Sequence, residues 1–415
     1  MKILIAAASH SSNLSGIQRH AFNMARCILE TEEISTVHLV VAPWQRDLVE
    51  AVGLKSSSKL SVHIANMKQN SLSRNLWYYR QLPKLTAQLD VDVVHLTYPT
   101  PIPKFSARPT AVTLHDLYPY EIPLNFGPLK FIFNRLILRH CLRNVDAIAC
   151  VSEATNTQLK RYFSASTLRK ALRIYNCVET GPLHFIRSAQ IQNLQGVPFL
   201  LCVAQHRHNK NILLLIRAFD RLLRLGKIAP NTSLVIIGIV GPETSKINRL
   251  ISSKKLGLRI RLLEGTSEAE LQWCYTNCDA LVAPSITEGF GLPVAEGLLA
   301  GCRVICSDIP AHREIGEGQC RFVSLKEEPE KMLAAAIAAT LQEPPNKPIP
   351  LPQFSARIIA KQYVDLYRRL CMCVACDNQA VLSNNQQTNK MEAIPSPTIE
   401  RPLAPRSGGT RYGHI

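Results

Sequence analysis

Short apolar runs alternate with longer segments of helical periodicity from one end of the chain to the other. In the first half the runs fall at residues 2–8, 37–41, 61–65, 91–97, 110–114, 146–151 and 173–178. In the second half they fall at 199–204, 233–239, 260–264, 280–283, 303–307 and 321–324. Several are continuously apolar and β-branched instead of alternating, the pattern of strands buried on both faces of a parallel sheet. Strand–helix alternation of this kind builds βαβ units, so the pattern predicts an α/β protein with doubly wound domains.

The two strand series are separated by the irregular stretch GPLHFIRSAQIQNLQGVP near residues 180–198, which carries Pro and Gly at both ends. This predicts a first domain over 1–185 and a second over 195–350. A helix is expected over 354–372, crossing back to pack on the first domain. Beyond residue 376 the chain turns rich in Asn, Gln, Ser and Pro, a composition that predicts a disordered tail over 376–415. Open α/β sheets bind ligands beyond the carboxyl ends of their strands, so two such domains face to face would share one cleft.

Composition narrows the class. A chain of 415 residues exceeds the roughly 250–300 that one core usually serves, and 46% hydrophobic residues suffice for two. No run reaches the roughly 18 apolar residues of a membrane span. The opening MKILIAAASH has too short an apolar stretch for a secretion signal and is expected to be a buried first strand, which leads to the expectation of a cytoplasmic protein. The net charge of +17 is spread along the chain with no nucleic-acid signature, which leaves phosphate-bearing small molecules and an anionic membrane surface as partners. Thirteen cysteines, an odd number, include Cys150, Cys202 and Cys306 inside apolar runs, as reduced core residues would be. Cys371, Cys373 and Cys376 cluster without a fourth ligand, so no metal site is expected there. Asp90-Val91-Asp92 precedes an apolar run instead of following one, so it marks a strand entrance and not a metal-binding pair at a strand tip.

The densest chemistry lies at 280–310, ALVAPSITEGFGLPVAEGLLAGCRVICSDIP. An apolar strand leads into a loop holding Glu288, Gly289, Phe290, Gly291 and Leu292; a helix is expected to begin near Pro293, carry Glu296 on its first turn and end at Gly301. Gly289 and Gly291 let backbone amides approach a ligand, and the helix start offers free N–H groups to a phosphate. Glu288 is placed to accept hydrogen bonds from sugar hydroxyls, and Glu296 to hold ribose hydroxyls.

Two glutamates eight positions apart around such a turn resemble the signature of the retaining GT-B glycosyltransferases, in particular glycosyltransferase family four, over roughly residues 1–372. The resemblance implies a GT-B fold of two facing Rossmann-like domains, with a nucleotide-sugar donor held mostly by the second and an acceptor mostly by the first. It implies transfer with retention, no required metal or other cofactor, and GDP-mannose or UDP-glucose as donor. It assigns Glu288 and the amides of Gly289, Phe290, Gly291 and Leu292 to the donor sugar and phosphates, and Glu296 to ribose.

Further positions join these. Arg207, His208 and Lys210 follow the run 199–204; Lys210 matches the family's diphosphate lysine and Arg207 a second cation, whereas Asn209 stands where the family often has Arg or Lys. His115, with Asp116 as a loop-orienting neighbour, ends the run 110–114 and would lie near the reacting sugar. Ser15-Gly16 stands where the family often has two glycines after the first strand, with Gly16 close to donor phosphate or acceptor; His10 and His20 are open as substrate contacts. Residues 129–143, LKFIFNRLILRHCLR, fit either a domain helix with a basic wet side or a surface that touches an anionic membrane. The expected function is hexose transfer to a glycan or lipid-linked acceptor in polysaccharide or glycoconjugate biosynthesis, in the cytoplasm or at the inner face of the membrane. The rivals are a catalytically silent sugar-nucleotide-binding protein and a GT-B epimerase or phosphorylase.

Overall fold

Among the described residues thirteen strands form in the order the apolar runs predict: β1 Lys2–Ala6, β2 Thr36–Val41, β3 Leu60–Ile64, β4 Val93–Leu96, β5 Thr110–Leu114, β6 Ala147–Cys150, β7 Ala171–Arg173, β8 Phe199–Val203, β9 Ser233–Ile237, β10 Ile260–Leu263, β11 Ala280–Ala283, β12 Val304–Ser307 and β13 Arg321–Val323. The structure, a computed structural model, describes residues 1–12, 15–51, 53–54, 57–104, 108–122, 128–179 and 189–391. The expected domain seam at 180–198 and the last part of the expected tail therefore lie partly outside the described residues.

The strands pair parallel throughout, in two sheets ordered β3-β2-β1-β4-β5-β6-β7 and β10-β9-β8-β11-β12-β13. This is the two-domain α/β architecture of the GT-B fold. Every residue of β4, β5 and β6 is buried, as are those of β9 and β12, because helices cover both faces of each sheet. In each sheet the order reverses once, at β1/β4 and at β8/β11. Loops leaving the carboxyl ends there splay to opposite faces and open a crevice.

Two expectations shift. The run predicted at 173–178 forms a strand only at Ala171–Arg173, because its partner β6 ends at Cys150. Beyond Arg173 the chain leaves the sheet, and Val178 N donates to Phe354 O at 2.9 Å. The helix predicted over 354–372 instead runs Ala356–Met391, into the segment predicted as disordered. Residues 373–391 contain neither Pro nor Gly, so nothing local stops it. Its first part buries Ile359, Ala360, Tyr363, Val364 and Tyr367 in the first-domain core with Ile3, Ile5 and Phe22. Asp90 adopts a left-handed φ of 47° after the helix Leu82–Leu89, and Asp92 Oδ2 accepts from Lys2 N at 2.8 Å, so the pair marks the amino end of β4, away from the cleft. Among the described residues no helix is long and apolar enough to cross a membrane.

Candidate active site

The loop after β11 supplies the centre of the site. Glu288, 8% exposed, accepts from Lys210 Nζ at 2.6 Å and Ser285 Oγ at 2.7 Å through Oε1, and from the Tyr118 hydroxyl at 3.1 Å through Oε2. Burial pushes its carboxyl up, but the Lys210 ammonium, His312 and the two Oε1 hydrogen bonds outweigh it and bring it below the ordinary glutamate value. Gly291 then turns left-handed, φ 97°, and caps the helix Leu292–Ala300; a methyl there would meet the His312 ring at 3.1 Å. The helix ends at left-handed Gly301. Pro293 has no N–H and Val294 N donates to Gly291 O at 2.9 Å, so the helix offers its positive end to the same loop chiefly through the Leu292 amide.

The strand β8 leads to Lys210 through a short 3-10 turn, His208–Lys210, ended by left-handed Asn211. Asn209 is buried and donates to the Tyr118 hydroxyl at 3.1 Å. The position where the family often has Arg or Lys thus braces the tyrosine that holds Glu288. Arg207 lies within electrostatic reach of Asp116 and His10 on the first domain.

The facing wall comes from β5. His115 Nε2 lies 2.8 Å from Thr97 O, so that nitrogen carries the proton and donates, leaving Nδ1 as acceptor. Burial lowers its pKa to about 4, only partly opposed by the Thr97 hydrogen bond, and keeps the ring neutral. Asp116 accepts from Tyr118 N at 3.0 Å, and burial raises its pKa to about 6 despite that bond and Arg207. The two walls touch at Gly289: a methyl there would lie 1.6 Å from His115 O. Gly289 O accepts from Thr155 Oγ1 at 3.0 Å and from Ser152 Oγ, both first-domain hydroxyls. Nearby, Glu314 accepts from the amides of Glu153 at 2.7 Å and Ala154 at 2.9 Å, capping the helix Glu153–Tyr162 from the opposite domain.

The remaining expected residues divide. Gly16 opens the helix Gly16–Leu29, and a methyl on it would contact Leu292 at 4.0 Å, so the first glycine-bearing loop meets the turn at 288–292. Ser15, in the place of a glycine, is the N-cap of that helix and forms a capping box with Gln18. Glu296 lies on the second helical turn instead of the first, because the helix starts at Leu292. It accepts from Arg19 at 3.0 Å and the Tyr275 hydroxyl at 2.7 Å, while Arg19 also pairs with Glu268 at 2.6 Å. Phe290 points its ring into the core against Phe354 and Tyr175, so only its backbone is available to a ligand. His20 is buried and meets Thr113 Oγ1 at 3.2 Å; the same hydroxyl lies 2.9 Å from His95 Nε2, and His95 Nδ1 lies 2.9 Å from the Tyr367 hydroxyl. His20 is therefore a structural member of a buried chain behind His115, its ring edge-on to His115 at 4.8 Å. His10 is exposed, 3.2 Å from Arg74.

Sequence reasoning did not single out Tyr118, Ser285, Ser152, Thr155, Arg19, Tyr275 or His312. Tyr118, three residues after His115, and Ser285, three residues before Glu288, carried a positional signal; the others act across longer separations and carried none.

This geometry has counterparts. The family model described as Glycosyltransferase Family 4 matches residues 14–181, and that described as Glycosyl transferases group 1 matches residues 186–352. The chain is 24% identical over 325 residues to the O-antigen chain mannosyltransferase B of Escherichia coli, covering 76% of this chain and 84% of that protein. Among solved structures it resembles Anabaena HepE in complex with UDP and glucose, at TM-score 0.60 and 16% identity over 92% of this chain and all of that one. It also resembles the sucrose-phosphate synthase of Thermosynechococcus elongatus, at TM-score 0.63 and 16% identity over 95% and 99%.

Proposed function

Because the chain belongs to the group 1 glycosyltransferases of family 4, we propose that it transfers a hexose, mannose in the first instance, from a nucleotide diphosphate donor with retention at the anomeric carbon. It is a hexosyltransferase of glycan biosynthesis that uses a nucleotide sugar; the choice of mannose follows its mannosyltransferase relative. GDP-mannose is the first donor to test and UDP-glucose the second. The acceptor is a glycan or lipid-linked saccharide, and the enzyme works in the cytoplasm at the inner face of the membrane.

The observation that carries this reading is the Lys210–Glu288 pair at the turn before a helix start, facing His115 across the Gly289 contact. Donor phosphates would take the Lys210 ammonium and the backbone amides of the turn that ends at Leu292, and Glu288, relieved of its cation, would turn its oxygens to the sugar hydroxyls. Glu296 would exchange Arg19 for ribose. Neutral His115 offers Nδ1 to a hydroxyl of the transferred sugar or the acceptor. The anomeric C–O bond to phosphate breaks, the acceptor oxygen bonds to the same face of that carbon, and its proton passes to the departing phosphate oxygen. Buried Asn209 and the N-cap Ser15, each hydrogen-bonded in place, disfavour a decayed and silent site.

The test is transfer and donor hydrolysis with a panel of nucleotide sugars, comparing wild type with Glu288→Gln and Lys210→Met. Loss in both variants, with GDP-mannose best in wild type, supports the reading. Equal turnover by all three proteins removes the site, and a different best donor removes the mannose assignment.

A further inference from the structure

Two first-domain helices, Ser71–Arg80 and Pro128–Asn144, expose apolar side chains that no sequence-level core requires. On the first helix Leu72 is 77% exposed, and Leu76 and Tyr79 continue the same stripe at i+4 and i+7. On the second, Ile132, Phe133 and Leu136 are all more than half exposed. The stripes join, since the Tyr79 and His140 rings lie 6.2 Å apart and His140 follows Leu136 by one turn. On the second domain, by contrast, exposed Leu225, Val240, Leu258 and Ile286 lie in four separate loops and Met332 on the helix Pro329–Leu341. Singly exposed apolar residues are ordinary; a joined set on neighbouring helices marks a docking face.

Charge decides what docks. Segments 71–89 and 128–144 contain no Asp or Glu, in a chain that has 31 of them. Their cations include Arg80, Lys84, Arg139 and Arg143, all exposed. Apolar side chains amid uncompensated cations suit an interface that is oily below and negatively charged at its surface, an anionic lipid bilayer. A protein partner of ordinary composition would be met with a share of acids on this face.

The face also has a direction. Arg74, on the first helix, reaches back to His10 in the loop after β1, Nη1 to Nδ1 3.2 Å, and its guanidinium lies over the Tyr98 ring at 5.5 Å. Lys130, on the second helix, and Arg207, from the second domain, both lie within electrostatic reach of His10. The acid-free face thus runs into the mouth of the cleft on the acceptor side.

We infer that the faces of Ser71–Arg80 and Pro128–Asn144 seat on an anionic bilayer and bring the acceptor side of the cleft to the headgroup layer. This rests on the hexosyltransferase reading for its purpose, delivery of a lipid-linked acceptor, but not for its test. The test is co-sedimentation of the full chain with phosphatidylglycerol–phosphatidylcholine vesicles and with phosphatidylcholine alone. Wild type should bind the anionic vesicles at least about tenfold better, and less as salt shortens the Debye length. A variant carrying Leu72→Gln, Leu76→Gln, Ile132→Gln, Phe133→Gln and Leu136→Gln should lose about tenfold or more. A second, Arg80→Gln with Lys84→Gln, Arg139→Gln and Arg143→Gln, should lose about fivefold per cation. Both should keep the thermal shift given by nucleoside diphosphate, which reports the donor site independently. Equal binding to neutral vesicles, or unchanged binding by both variants, overturns the inference. So does light scattering that shows a wild-type dimer abolished by the apolar substitutions, which would make a second copy the occupant.

Discussion

Lys210 Nζ lies 2.6 Å from Glu288 Oε1, with the two side chains 18% and 8% exposed. The cation expected to meet a leaving diphosphate and the carboxylate expected to meet the donor sugar hold one another. A buried pair of this kind is weak evidence for stability, since desolvation offsets much of the attraction. Under the proposed function it holds the two groups at fixed positions until a substrate divides them.

Removing one partner leaves a buried charge without its counterion, a change that costs about 3–5 kcal/mol when the pair is fully enclosed. Lys210→Met should fall toward the lower end, because Ser285 and Tyr118 still donate to Glu288. Its kcat should fall about 100-fold or more through loss of charge stabilisation at the departing phosphate. Glu288→Gln should also lose transfer. The double variant should regain melting temperature without regaining activity. If Lys210→Met turns over like wild type, the ammonium does not serve the leaving group.

The thirteen strands and the turn at 288–292 were legible because they are local: apolar runs of strand length, and glycines where the backbone reverses. The contacts that make the turn a site were not, because they join distant positions. Ser152 and Thr155 reach Gly289 O across more than a hundred residues, and Glu314 caps a helix on the other domain. Glu296 was expected to hold ribose, and no local pattern foretold Arg19, 277 positions away, on its Oε1. The first part of the expected tail, residues 376–391, was misread for a related reason. Polar composition suggested disorder, whereas helix continuation depends on the absence of Pro and Gly, which holds to Met391.

Gly289 has no room for a side chain. An added methyl would sit 1.6 Å from a backbone oxygen of His115, which no rotamer change can relieve. Gly289→Ala must therefore push the turn at 288–292 away from β5. A displacement of about 1 Å at a reacting centre costs about 100-fold, so transfer should fall at least that far while circular dichroism stays native. Gly257→Ala, with nothing within 4 Å of its added methyl, is the matched control and should remain active. A fully active Gly289→Ala would mean that the two walls need not approach.

Glu296 offers a way to separate ribose from phosphate recognition. A hydrogen bond to a charged group contributes about 1.5–3 kcal/mol, which corresponds to about 10–100-fold in affinity. Glu296→Gln should weaken nucleoside diphosphate binding by that factor in calorimetry. Inorganic pyrophosphate should bind as well as before or better, because Arg19 loses one of its two carboxylates. Tyr275→Phe, which removes only the hydroxyl that steadies Glu296, should change nucleotide affinity by less than about threefold. Equal weakening of pyrophosphate by Glu296→Gln would reassign the residue to the phosphates.

The histidines behind the cleft give the fold a pH dependence of definite sign. Burial lowers His115 to about 4 and His95 to about 3, and lowers His20 well below its ordinary value, helped in the last two by neighbouring histidines. Each is neutral when folded and would take a proton near pH 6.5 when unfolded. The stability they contribute is therefore complete above about pH 6.5 and is lost as the pH falls through the window down to about 4 and 3, at about 1.4 kcal/mol per pH unit for each. Asp116, raised to about 6 by burial, has the opposite sign and offsets one histidine between about pH 6 and 4. The net expectation is a urea midpoint that drops steeply between pH 7 and about 4.5, and drops less in His95→Gln. Turnover should show no acid limb near pH 6.5 from His115, since its ring stays neutral until about pH 4. A limb at pH 6.5 that disappears in His115→Gln would show that the ring titrates in contact with solvent, and the closed wall at β5 would have to open in the working enzyme.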